Sequence, residues 1–189
     1  MLKVEIPPNE ALYPVPVVLV SCFDRFTGRP NAITIAWCGI AASNPPSIYV
    51  SIRPSRHSHK LIGLEREFVV NIPQKNILKE VDLCGILSGR DTDKFKICNF
   101  TAVQSSRISV PMIGECPVNI ECRLKDVIKL GSHDMFIADV VTVHRDGCIS
   151  NPDGSIDFKK ADPIVYNRGE YWSLDKKIGY YGYSSKQEP

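Results

Sequence analysis

Surplus charge of either sign is almost absent: 23 Lys and Arg stand against 21 Asp and Glu, a formal net charge of +2. No global basic field therefore argues for nucleic acid, and no recognition-helix, zinc-finger or RNA-binding motif occurs. No apolar run is long enough to span a bilayer, and Met1-Leu2-Lys3-Val4-Glu5 lacks the apolar core of a signal peptide. The expectation is a cytoplasmic protein with neither nucleic-acid nor membrane partners. Gly-x-Gly-x-x-Gly and Gly-x-x-x-x-Gly-Lys-Ser/Thr are both missing, which removes the usual Rossmann and P-loop readings. Gly-x-Ser-x-Gly is missing too, so there is no hydrolase elbow. The 7 cysteines are scattered and never form Cys-x-x-Cys; they read as small, buried hydrophobes kept reduced. His57-Ser58-His59 has no carboxylate or cysteine partner at ligand spacing, and no metal is expected.

What is present is a chain of 189 residues, read as a single domain over 1–189. Val17 to Phe23 reads as a buried strand, Asp24 to Gly28 as a turn, and Asn31 to Cys38 as a second strand, so the pair is a hairpin. Ser47 to Ile52 is a third strand, delivered by Asn44-Pro45-Pro46. Ser58 is placed as the N-cap of a short helix carrying Leu61, Ile62 and Leu64. Phe68 to Ile72 is a strand. Asn76 is placed as the cap of a clearer helix, with Ile77, Val81, Cys84 and Ser88 on one face and Gly89 as its stop. Asp91 to Lys96 is a polar loop or helical turn. Val118, Ile120, Cys122 and Leu124 alternate with Asn119, Glu121 and Arg123, which predicts a strand with one wet face. Gly131-Ser132-His133-Asp134 connects into a long strand from Met135 to Arg145. Asn151-Pro152-Asp153-Gly154 is a turn, Pro163 to Tyr166 a last short strand, and an aromatic, polar tail follows. The fold class is mainly β, a barrel or sheet with a few helices packed outside.

Three clusters could carry chemistry. The first runs from Asn31 and Thr34 through Trp37 to Arg53, Arg56 and Ser58. Polar side chains near a strand edge, an aromatic wall, and cations leading into a helix N-terminus suit a flat ring with a phosphate tail, such as flavin mononucleotide. Turn, core and surface roles explain the same residues equally well when each is taken alone. The second is Lys94, in a polar stretch after a helix and a glycine. Beside a flavin's N1 and O2 it would stabilise the reduced ring; otherwise it is an exposed loop lysine. The third is His133, either a proton donor or acceptor for a flavin or an exposed loop histidine.

Taken in order, Arg29-Pro30-Asn31-Ala32-Ile33-Thr34-Ile35-Ala36-Trp37, Asn44-Pro45-Pro46 and Ser51-Ile52-Arg53-Pro54-Ser55-Arg56-His57-Ser58 form a recognisable series. It continues with Phe68-Val69-Val70-Asn71-Ile72-Pro73, Cys84-Gly85, Ser88-Gly89-Arg90, Asp93-Lys94-Phe95 and Glu115-Cys116-Pro117. Gly131-Ser132-His133-Asp134 and Asp162-Pro163-Ile164-Val165-Tyr166 complete it. The chain in this respect resembles the flavin reductase-like, FMN-binding split-barrel family, and within it the flavoredoxin type, from about Pro14 to Gly182.

The resemblance implies a split β-barrel homodimer with FMN in a cleft near the subunit interface; FAD remains open beside FMN. It implies that Asn31, Ala32, Ile33, Thr34, Ala36 and Trp37 line the ring and ribityl chain, and that Ser51, Ile52, Arg53 and Ser58 hold the ribityl-phosphate end. Cys84, Gly85, Ser88 and Gly89 join the cofactor-binding set, and Lys94, His133 and Tyr166 approach the flavin, with His133 and Lys94 as the catalytic pair. Cys38 stands where the family often has a hydroxyl residue; a thiol is a poorer donor, so it is read as a soft neighbour of the ring. Three functions follow from this reading. They are an NAD(P)H-dependent flavin reductase, a non-enzymatic electron carrier serving a protein redox partner, and a flavin-free structural dimer.

Overall fold

The computed structural model describes residues 1–185. The chain enters through β1 (Val15–Pro16) and continues into β2 (Val18–Asp24), which turns at Gly28 into β3 (Arg29–Ile35). Gly28 takes φ +67°, the left-handed conformation that glycine adopts without penalty. Next come β4 (Cys38–Ser43), β5 (Pro46–Ile52), α1 (His57–Glu65), β6 (Glu67–Ile72) and α2 (Leu78–Ile86). A short α3 (Lys94–Ile97) precedes the small pair β7 (Ala102–Val103) and β8 (Met112–Ile113). The long strands β9 (Val118–Lys129) and β10 (Asp134–Arg145) follow. Last are α4 (Phe158–Ala161), β11 (Ile164–Asn167) and β12 (Glu170–Ser173).

The main sheet has seven strands in the order β3-β2-β6-β9-β10-β5-β4, and every neighbouring pair is antiparallel. Its side chains show that it is rolled. Ile33 and Ile35 from the β3 edge share one buried cluster with Val50 and Ile52 from β5, and with Phe68, Cys122 and Phe136 from the middle strands. A flat sheet cannot bring one edge and the far strands into a single core; a barrel does so by construction. Leu61 and Ile62 of α1 join the same cluster. On the outer face, Val17, Leu19 and Ala32 pack against Val81 and Cys84 of α2 and Phe95 of α3. A smaller sheet, β1-β11-β12, lies beside it.

Several sequence expectations need correction. The strand expected over 31–38 stops at Ile35, and Cys38 begins β4. The break at Ala36-Trp37 is where the chain leaves β2 and takes β5 as partner: the Ser51 amide donates to the Trp37 carbonyl at 2.8 Å. Apolar alternation is blind to a change of partner. β3 and β4 are the two edges of the main sheet, joined through this dipeptide, and the barrel is split there.

Ser58 is not an N-cap. Arg56 occupies that position with no side-chain cap, and Ser58 lies buried inside the first turn. Nor does Asn76 cap α2; a 3₁₀ turn over Lys75–Ile77 precedes the helix, which ends at Ile86, ahead of Gly89. The aromatic tail contributes β12, paired with β11 across Gly169 at φ +96°.

The wet face expected on β9 holds only at Arg123; Asn119 and Glu121 are buried. Asn119 Nδ2 donates to Asn71 Oδ1 at 2.8 Å and to the Ile113 carbonyl at 3.1 Å. Glu121 accepts from the amides of Ser106 and Arg107 at 2.7 and 2.8 Å, and lies 2.6 Å from His144 Nε2. The segment before β8 therefore covers this face, and full hydrogen bonding makes the burial tolerable. Among the cysteines, Cys22, Cys84, Cys98, Cys116 and Cys122 are buried, Cys38 is half-buried, Cys148 is exposed, and all are free thiols.

Candidate functional site

At the outer wall of the split, two cavities join. The first, of about 380 Å³, is lined by Arg53, Arg56, Ser58, Ser88, Gly89 and Lys94. Arg53-Pro54 ends β5, because proline has no amide to continue the ladder, and α1 starts with its first turn uncapped by any side chain. Free first-turn amides and the positive end of the helix dipole favour an anion there. Lys94, the first residue of α3, is 3% exposed. Its Nζ donates to the carbonyls of Ala32 and Cys84, each at 2.8 Å. No carboxylate lies within ion-pairing distance of it among the described residues. Burial pulls its pKa below the usual value, and the nearby Arg56 guanidinium adds to that. An ammonium in this state lacks a counter-charge, and cations crowd the same cavity.

The second cavity, of about 300 Å³, shares Ile33, Arg53 and Arg56 with the first; the rest of its lining is largely aromatic and apolar, with Thr34, Ser51 and the Asp82 carboxylate as its other polar groups. Both volumes lie in the range of small-molecule sites, roughly 300–1,000 Å³. Trp37 and His133 stand with ring planes 4° apart and centroids 6.2 Å apart. Tyr166 sits 6.0 Å from Trp37, and Tyr171 sits 6.0 Å from Tyr166, so the aromatic wall runs on into β12. Burial, and then the Arg53 charge, hold the His133 imidazole below its usual pKa and so favour its neutral form. Its Nδ1 lies 3.0 Å from the Ser132 hydroxyl.

The loop after α2 closes against β3 with no room for a side chain at Gly89, where a Cβ would fall 2.1 Å from Asn31 Oδ1. Asn31 is itself buried; its Nδ2 donates to Ser58 Oγ at 2.8 Å, while Oδ1 has no partner among the described residues.

Among the residues singled out from the sequence, Ile33, Thr34, Ala36, Trp37, Ser51 and Ile52 line the aromatic cavity. Arg53, Gly85, His133 and Tyr166 line it too. Ser58, Ser88, Gly89 and Lys94 line the cationic one. Thr34 Oγ1 donates to the Val81 carbonyl, so its hydroxyl hydrogen is already committed. Five residues are placed differently from expectation. Lys94 lines the cationic cavity and not the aromatic one. Ala32 and Cys84 stand behind the wall, holding Lys94 through their carbonyls. Asn31 faces a separate depression with Arg29, His57 and Asp93. Cys38 lines an apolar cavity on the other side of Trp37, with Tyr49, Leu130 and Met135, and burial lifts its thiol to about 12.

The structure also adds residues that sequence reasoning missed: Asp82 and Ile86 from α2, and Tyr171 from β12. The turn at Arg168-Gly169 was a legible sign of the hairpin that delivers Tyr171; Asp82 carried no signal.

A rolled antiparallel barrel, split between β3 and β4 with an aromatic and cationic cleft at the split, places the chain in the split-barrel class of flavin-binding redox proteins. The chain belongs to the flavin reductase like domain family, which matches residues 11–175. Flavoredoxin of Desulfovibrio vulgaris (Miyazaki F) superposes with a TM-score of 0.91 at 32% identity, over 98% of this chain and 100% of that one. Flavoredoxin from Methanosarcina acetivorans gives 0.89 at 27% identity, with the same coverage. A protein of Archaeoglobus fulgidus is 32% identical over 150 residues, spanning 79% of this chain and 83% of its own. Among the described residues no helix is long and apolar enough to cross a membrane.

Proposed function

We propose that the protein holds FMN across the two joined cavities and acts as an NAD(P)H-dependent flavin reductase. The observation that carries this reading is Lys94: a buried ammonium without a counter-charge, in a cavity it shares with Arg53, Arg56 and the uncapped start of α1. A phosphate dianion supplies the missing charge and accepts hydrogen bonds from these groups and from Ser58. The adjoining aromatic cavity then receives the ring, with Trp37 and Tyr166 as its apolar wall. FMN, when bound, supplies the two-electron chemistry. The chain supplies position and charge. Neutral His133, tied to Ser132 through Nδ1, keeps Nε2 available to hold a proton at the edge of the ring. The Trp37–Tyr166–Tyr171 row offers the ring a continuous aromatic wall.

A homodimer is part of this proposal. The apolar cavity behind Trp37 is lined by Tyr49, Leu130 and Met135, a surface that suits a second copy at the cleft.

The visible spectrum of the purified protein, with mass identification of the released chromophore, tests the ligand. Protein that is colourless and takes up no FMN on titration refutes the reading and leaves a structural dimer. Anaerobic bleaching of the bound flavin by NADH or NADPH tests the activity. The likeness to flavoredoxin supports a second reading, that of an electron carrier. Inertness to both nucleotides, with reduction by a ferredoxin-like donor, selects it.

A further inference from the structure

Asp82 projects from α2 at the aromatic cavity, at the end of the row of rings that begins at Trp37. Its carboxylate accepts the Tyr171 hydroxyl at 3.1 Å. It has no ion-pair partner among the described residues, although Arg53 and Arg56 line the same cavity. Tyr171 reports that charge: burial and the hydrogen bond to Asp82 push its phenol up to about 12. The cavity is thus polarised, with guanidiniums toward the anion compartment and an anchored carboxylate beside the aromatic faces of Tyr166 and Tyr171. Aromatic faces with a carboxylate at their margin are the chemistry that recognises a flat organic cation.

This bears on the second ligand of the reaction, and the argument rests on the reductase reading above. A dihydronicotinamide is neutral. When its C4 hydrogen leaves with the bonding pair to reduce the flavin, the ring that remains is a pyridinium cation. We infer that Asp82, held by Tyr171, is a specificity-determining residue that favours the pyridinium form of a nicotinamide laid against the bound flavin at the Tyr171 end of this cavity. A carboxylate there stabilises charge developing on the donor ring, and it disfavours electron donors or acceptors that are anionic at the same edge.

The test uses FMN-loaded protein and calorimetric titration with two probes: NAD⁺, whose ring is cationic, and 1,4,5,6-tetrahydro-NADH, which is neutral and cannot give up a hydride. Asp82→Asn should weaken NAD⁺ about three- to tenfold, the scale of an exposed charge and cation–π contact. It should leave the neutral analogue and FMN unchanged. Tyr171→Phe, which frees the carboxylate without removing it, should weaken NAD⁺ less. If Asp82→Asn shifts both probes equally, or neither, the assignment is wrong while FMN binding and bleaching by NADH stand. If wild-type protein takes up no FMN, or takes it up and is bleached by neither NADH nor NADPH, the reductase reading fails and this inference falls with it.

Discussion

Replacing Lys94 by methionine keeps the length of the side chain and removes the buried charge. In the free protein two effects oppose each other. The carbonyls of Ala32 and Cys84 lose the donors that sit 2.8 Å away, at about 1–3 kcal/mol for each group left without a partner. Against this, an ammonium that is only 3% exposed no longer has to be desolvated, a relief of several kcal/mol in comparable sites. The stability of the ligand-free protein should therefore change little. The ligand sees no such cancellation. A phosphate that loses one charge-assisted contact forfeits about 1.5–3 kcal/mol, which is roughly ten- to 150-fold in Kd. Riboflavin has the same ring and ribityl chain without the phosphate, so Lys94→Met should leave its affinity nearly intact. Flavin-fluorescence titrations of both ligands against wild type and variant give the answer. Equal losses for FMN and riboflavin would mean that Lys94 does not face the phosphate, and no loss for either would remove it from the site.

Trp37→Ala should give the opposite pattern, weakening FMN and riboflavin alike by about three- to tenfold, since in the proposed placement only the ring meets that wall; a loss confined to FMN in the same titrations would contradict it. Glu121→Gln should destabilise the fold by about 3 kcal/mol, because an amide N–H replaces one acceptor facing the Ser106 and Arg107 amides; a urea midpoint shift worth under about 1 kcal/mol would show that the loop does not depend on the carboxylate. Burial alone would raise the Glu121 carboxyl, but the bonds from Ser106, His144 and Arg107 outweigh it and hold it below 4.5. The stability it contributes should then be complete above about that pH and disappear as pH falls through the lowered value, and the Gln variant should lack this slope. His133 should titrate below 6.5 by NMR; since its folded pKa is the lower one, it should remove stability as pH falls below 6.5 and level off beneath the folded value. A His133 midpoint at or above 6.5 would mean that neither burial nor Arg53 governs it.

The strands and their pairing were legible where a local pattern carries the information. Val17 to Phe23 is apolar at every position but Ser21 because β2 is buried on both faces, between the barrel core and α2. The hairpin at Gly28 and the strand end at Arg53-Pro54 follow from residues that restrict the backbone. The order of short motifs from Arg29 to Tyr166 was enough to point to the family that matches residues 11–175. The break at Ala36-Trp37 was not legible, since it depends on which strand each residue pairs with. The wet face of β9 was misread for a related reason: Glu121 is buried by a segment more than ten residues away, whose backbone amides satisfy it.

By itself, then, the amino-acid sequence determined the mainly β character, the burial of five of the seven cysteines, and which short segments meet at a cleft suited to a flat, phosphate-bearing ligand. Tertiary structure decided what each cleft residue does. A polar stretch at 91–96 conceals a buried lysine only because Ala32 and Cys84, 62 and 10 residues away, present their carbonyls to it. A surface-patterned aspartate on α2 becomes the acidic margin of an aromatic cavity only because Tyr171, 89 residues later, reaches it. Charge and burial are properties of neighbours, and for these two residues the neighbours are set by the roll of the barrel and the docking of β12.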